Sequence, residues 1–144
     1  KQTFSKYELI LVNDGSPDSC PKICDEYAKQ EDKIKVIHKD NGGAVSAVTA
    51  GISIAMGKYL CFVDSDDWIE PDMVEIFYKK AVEYDYDVVV CGYIKDYISE
   101  QKQTESFTIR SGSFNKSQII DEIYTNIING NGIGEPSTSW AISA

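Results

Sequence analysis

The chain has 144 residues, enough for one domain with a real core. Its 42% hydrophobic and 26% charged residues are a globular balance, and a net charge of −9 argues against a general nucleic-acid binder, which needs a basic patch. It does not exclude an anionic substrate, because a bound cation reverses the local field. No apolar run approaches the length of a transmembrane helix.

The opening "KQTFSKYELILVNDGS" reads as mid-protein text, so upstream residues are expected. Within it, "YELILVN" is a short apolar run stopped by "DGSPDS", a buried strand ending in a loop. "CPKICDEYAKQ" follows as a helix. Ser19 is its expected cap, Pro21 suits its first turn, and Ile23, Tyr27 and Ala28 fall on one face. "KIKVIHK" is a second strand, and "DNGGAV" a glycine turn into a small-residue helix over 44–56, ended by Gly57. "KYLCFVD" is a third strand. Pro71 starts a helix over 71–84 with Met73, Val74, Phe77 and Ala81 facing inward, and "YDVVVCGY" is a fourth strand. Strands alternating with helices predict an α/β domain with a mainly parallel sheet, whose ligands sit beyond the carboxyl ends of the strands.

Residues 95–112 are polar, with a weak "SFTIR" strand pattern, and read as an exposed hairpin or excursion. "NKSQIIDEIYTNIIN" places Ile119, Ile120, Ile123, Ile127 and Ile128 at helical spacing. "GNGIGEPSTS" is a loop and "WAISA" begins a last strand. Cys20, Cys24, Cys61 and Cys91 read as reduced thiols, the last two packed as small hydrophobes in strands.

Three constellations carry chemistry. In "VNDGSPD", Asp14 and Asp18 follow a strand end and Gly15 permits a tight turn; the residues fit either a ligand-binding acid or an ordinary Asp-Gly turn. In "DNGGAVSAVTAGI", Asn41, Gly42 and Gly43 precede a helix N-terminus whose N–H groups suit an anion, though the alternative is a tight turn before a closely packed helix in which Gly51 permits close approach. In "VDSDDWIEPD", Asp64 and Asp66 alternate along an extended backbone and so point the same way, while Asp67 enters the turn. Two carboxylates of this kind suit Mn²⁺ or Mg²⁺ with a diphosphate; the other reading is a solvated acidic turn with Trp68 in the core.

Together these segments resemble the inverting nucleotide-sugar glycosyltransferases of family 2, which have the Rossmann-like GT-A fold. "QTFSKYELILVNDGSPD", "NGGAVSAVTAGI" and "GKYLCFVDSDDWIEPDMVE" match that family's acid loop, glycine-led helix and D-x-D strand in order and spacing over residues 2–93. The resemblance implies that Asp14 contacts the nucleotide base, usually uracil, that Asp64 faces the ribose or the metal shell, and that Asp66 ligates Mn²⁺ or Mg²⁺ on the donor diphosphate, with Asp64 the second candidate ligand. Residues 1–94 would be the nucleotide-sugar part of the domain and 95–144 the start of its acceptor side. The family's first strand is expected upstream of Lys1 and its catalytic base downstream of Ala144.

The implied reaction moves a sugar, most simply from a UDP-sugar, to an acceptor hydroxyl with inversion, in polysaccharide or glycoconjugate synthesis. The acceptor would be a saccharide or a lipid-linked saccharide, at the cytoplasmic side or peripheral to the membrane face there, and a homodimer is compatible with this reading. Three positions depart from the pattern: Asn13 stands for the first Asp of "DDGS", and Val48 and Thr49 for the usual Arg and Asn. The rival classes are a Mg²⁺-dependent nucleotidyltransferase, which would want Lys39 or Lys58 at the phosphates, and a non-catalytic nucleotide-binding domain.

Overall fold

The computed structural model describes residues 1–95, 103–105, 112–124 and 140–143. The expected "SFTIR" strand, the end of the isoleucine-rich helix and the "GNGIGEPSTS" loop lie outside the described residues. β1 (Leu9–Asp14) and β2 (Ile34–Lys39) form a parallel ladder, from Leu9 opposite Ile34 to Asp14 opposite Lys39. α1 (Cys20–Gln30) is their crossover, and α2 (Ala44–Ile54) follows β2 and packs on β1. The chain is thus an α/β domain with a parallel ladder, as its alternating pattern predicts.

β3 (Tyr59–Cys61) leads through a long acidic loop to α3 (Met73–Tyr84) and β4 (Val88–Val90). β5 (Tyr93–Lys95) pairs antiparallel with β6 (Gln103–Glu105), the expected hairpin. α4 (Lys116–Gln118) opens with a reciprocal cap between Asn115 and Gln118, then widens into a π-helix over Ile119–Tyr124. β7 (Trp140–Ser143), the strand that "WAISA" begins, lies between β3 and β4 and runs antiparallel to both. Local pattern predicts β7 as a strand but not its place, because pairing partners are chosen by tertiary packing.

Glycine and apolar spacing explain how α2 lies so close to the ladder. A Cβ built on Gly51 would stand 3.4 Å from Val12 Cγ2, so the helix backbone rides directly on β1. Met73, Phe77 and Ala81 form the buried face of α3, the spacing expected of them, with Ile69, Val89 and Cys91 packed against Met73 and Phe77. α1 departs from its expected face: Ile23 and Tyr27 are 46% and 56% exposed, while Pro21, Cys24 and Ala28 are half-buried.

The first residues are tied to α3 rather than left loose. Gln2 donates to the Glu70 carbonyl (2.8 Å) and accepts from the Val74 N–H (3.2 Å), Thr3 N–H donates to the Pro71 carbonyl (2.7 Å), and its hydroxyl donates to Glu75 (2.7 Å). Phe4 packs on Tyr78, ring centroids 4.8 Å apart. The Gln2 side chain thus satisfies one free donor in the first turn of α3, the Val74 N–H, from some seventy residues away.

Phe77 is 6% exposed, so Phe77→Ala should lower the unfolding free energy by about 3 kcal/mol. Urea titration should show a lower midpoint with an unchanged slope, whereas Ile76→Ala, at a 46% exposed position, should shift it far less.

Candidate functional site

Asp14 is the last residue of β1, and its carboxylate joins three pieces of chain. It pairs with the Lys39 ammonium at the end of β2 and accepts the backbone N–H groups of Gly42 (3.0 Å) and Gly43 (2.8 Å) at the start of α2. Lys39 holds its carboxyl below the usual Asp range, and the two backbone N–H groups add to that. The anion that the helix N-terminus accepts in this structure is therefore the protein's own carboxylate. Gly42 and Gly43, on the loop after β2, are thereby held against Asp14 at the end of β1.

Gly15 makes the junction possible. Its φ is +73°, and a Cβ there would sit 2.7 Å from the Asn41 backbone nitrogen. Gly43, with φ +82°, turns the chain into α2. Beside this node Asn13 is buried, at 8% exposure. Its carbonyl oxygen accepts the Ser16 N–H (3.1 Å), and its amide nitrogen lies 3.2 Å from His38 Nδ1. His38 Nε2 is 3.0 Å from Asp25 on α1. Sequence reasoning noted Asn13 only as a departure and assigned His38 nothing; the facing register of two strand ends is what links them.

Asp18, the other acid of the first loop, is turned to the start of α1. Its side chain accepts the Cys20 N–H (2.9 Å), so Asp18 caps α1 in place of Ser19, whose backbone is already helical (φ −82°, ψ −3°).

The D-x-D segment also differs from its expected geometry. β3 stops at Cys61, and the Asp67 N–H donates to the Asp64 carbonyl (3.1 Å), so Asp64 and Asp66 lie in a turn and not along an extended strand. Adjacent like charges gain nothing from being aligned on a strand, and Asp favours the first position of such a turn. Asp64 and Asp66 are exposed, and neither carboxylate has a hydrogen-bond or ion-pair partner among the described residues. Trp68, which the alternative solvated-turn reading put in the core, is 72% exposed. The Gln2 and Thr3 contacts to Glu70 and Pro71 anchor the far end of this loop.

Among the described residues no three His, Cys, Asp or Glu groups converge as a complete metal cage. The donor set of the turn nevertheless fits Mg²⁺ or Mn²⁺, which are commonly held by one or two carboxylates together with substrate phosphates and water. The lysines wanted by the nucleotidyltransferase reading are engaged elsewhere: Lys39 with Asp14, and Lys58 over the Tyr59 ring, 5.0 Å from its centroid, at the opposite end of β3.

Comparison with known proteins settles the family. The model of glycosyl transferase family 2 matches residues 1–141. The chain belongs to that family. GlyG, a glycosyltransferase of Streptococcus pneumoniae, is 45% identical over 94 residues, 65% of this chain and 31% of GlyG. EpsH of Bacillus subtilis is 42% identical over 105 residues, 73% of this chain and 30% of EpsH. Chondroitin synthase of Pasteurella multocida is 37% identical over 79 residues, 55% of this chain and 8% of the synthase. The chain thus spans about three-tenths of the length of GlyG and EpsH.

Family membership makes the α/β arrangement with its parallel β1–β2 ladder part of a Rossmann-like GT-A domain. Of the two departures on α2, Thr49 turns its hydroxyl back onto the Val45 carbonyl (2.8 Å) and Val48 is 45% exposed. No helix among the described residues is long and apolar enough to cross a membrane.

Gly15→Ala should destabilise the chain by at least about 1 kcal/mol, because an L-residue with positive φ is strained and its methyl would strike Asn41; chemical denaturation checks this. Asp14→Asn carries a pH signature. Because folding lowers the Asp14 pKa, the stability it contributes is complete above the ordinary Asp range and is lost as pH falls through the lowered value. Thermal melts of wild type and Asp14→Asn should therefore differ at neutral pH and converge in acid.

Proposed function

We propose that residues 1–94 form the donor-binding part of an inverting glycosyltransferase, and that 95–144 begin its acceptor side. The donor is a nucleotide-sugar with uridine as its base. Asp14 and its loop meet the base, and Asp64 lies toward the ribose. Asp66, with Asp64 as second ligand, holds Mn²⁺ or Mg²⁺ on the diphosphate. A bound divalent ion would neutralise the departing nucleoside diphosphate. The observation that carries this reading is the turn after β3, where two exposed carboxylates stand unpartnered among the described residues of a family 2 chain.

The acceptor hydroxyl attacks the anomeric carbon and gives its proton to a base as the nucleoside diphosphate departs. One relative bears the name chondroitin synthase, which supports polysaccharide or glycoconjugate assembly as the setting. A cytosolic donor places the reaction on the cytoplasmic side, and a lipid-linked acceptor would draw the protein to the membrane face there.

Titration calorimetry of the full-length protein with UDP should show binding that strengthens on adding Mn²⁺. Binding of GDP or dTDP instead would keep the class and change the base; no nucleotide binding in either condition would overturn the donor reading. Asp66→Ala should abolish the Mn²⁺-dependent part while leaving the thermal melt equal to wild type or slightly higher, since one of several crowded carboxylates is removed.

A further inference from the structure

The polar chain beside Asp14 has only one consistent arrangement of protons. The Ser16 N–H can only donate, so the Asn13 side chain must present its oxygen there (3.1 Å). Its amide NH₂ is then forced toward His38 Nδ1 (3.2 Å), which must be a bare lone pair. The ring proton accordingly sits on Nε2 and is donated to the Asp25 carboxylate (3.0 Å). All four groups are satisfied only when His38 is neutral.

Protonation would reverse one link. An imidazolium carries a proton on Nδ1 as well, and two donors would then face each other across the Asn13 contact. Asn13 is 92% buried by its 8% exposure and cannot turn freely to water, while flipping its amide would set NH₂ against the Ser16 N–H. If the amide flips, the "DGS" turn loses the bond that fixes Ser16, two residues beyond Asp14; if it does not, the Asn13–His38 contact breaks and that bond loses the support behind it. The groups facing the ring are the Asp25 carboxylate on α1 and the Asn13 amide on β1, and the Asp14–Lys39 pair and Asp40 follow immediately along the two strands.

We propose that His38 is a positioning residue for the nucleotide loop: its neutral form, read through Asn13 onto Ser16, holds the turn that presents Asp14, and its protonation releases that turn. The claim rests on the donor reading for its functional consequence, though the His38–Asn13–Ser16 coupling stands on geometry alone.

Two measurements on the full-length protein separate these parts. Nitrogen-15 spectra of the free protein should show His38 as the Nε2–H tautomer at high pH, with the Ser16 amide resonance shifting along the His38 titration. A Ser16 amide that ignores His38 would overturn the proposal, whatever UDP does. In calorimetry with UDP and Mn²⁺, affinity should fall about fivefold more between pH 8 and pH 5 for wild type than for His38→Asn, the scale of one lost hydrogen bond. His38→Asn keeps an acceptor near the Nδ1 position, does not titrate there, and shares the ligand's own titration, so the difference belongs to His38. His38→Leu, lacking the acceptor, should bind more weakly than His38→Asn at every pH. Equal pH dependence in wild type and His38→Asn would overturn the positioning role. Absence of UDP binding at pH 8 in wild type would fault the uridine donor instead, with the Ser16 resonance still deciding the coupling.

Discussion

One carboxylate at the end of β1 organises the candidate site. Asp14 reaches Lys39 on β2 and the first amides of α2, so a single side chain closes the β1–α1 turn, the β2–α2 turn and the helix N-terminus onto each other. A charged acceptor of backbone N–H groups is worth more than a neutral one, and here it also offsets the Lys39 charge. The arrangement needs Gly15, since any larger residue would separate the two loops.

The opposite end of β1 repeats the device. Glu8 binds Lys35 on β2 (2.6 Å) and accepts the Met56 and Gly57 N–H groups (2.6 and 3.1 Å) just beyond α2. α2 is therefore held at both ends, by Glu8 just before β1 and Asp14 at its end, and Gly51 lets its middle lie against that strand. Each carboxyl is held below its ordinary range by its lysine. This clamp leaves α2 little freedom to slide, which keeps the Asn41–Gly43 loop at a constant position relative to Asp14.

The acidic turn is built on the contrary principle. Nothing among the described residues neutralises Asp64 and Asp66, while their loop is anchored at its far end by Gln2 and Thr3. A pair of acids left with its charge unpaired differs in kind from Asp14, whose partners are already in place. Acids that read alike in sequence thus fall into a structural clamp, a helix cap at Asp18, and an open pair.

Much of this was legible in the residues. Apolar runs bounded by Asp, Gly and Pro located β1, β2, β3 and β4, and the 3.6-residue spacing of Met73, Phe77 and Ala81 defined the buried face of α3, because these signals are local. Three motifs in order also sufficed for the family. What spacing alone could not determine was partnership. That Asp14 fills its own helix N-terminus, that Asp18 rather than Ser19 caps α1, that the D-x-D acids lie in a turn, and that Asn13 meets His38 all depend on which segments face one another. Local pattern sets where strands and helices form; the parallel register of β1 on β2 decides which side chains meet at their ends, and hydrogen bonds form only between groups so placed.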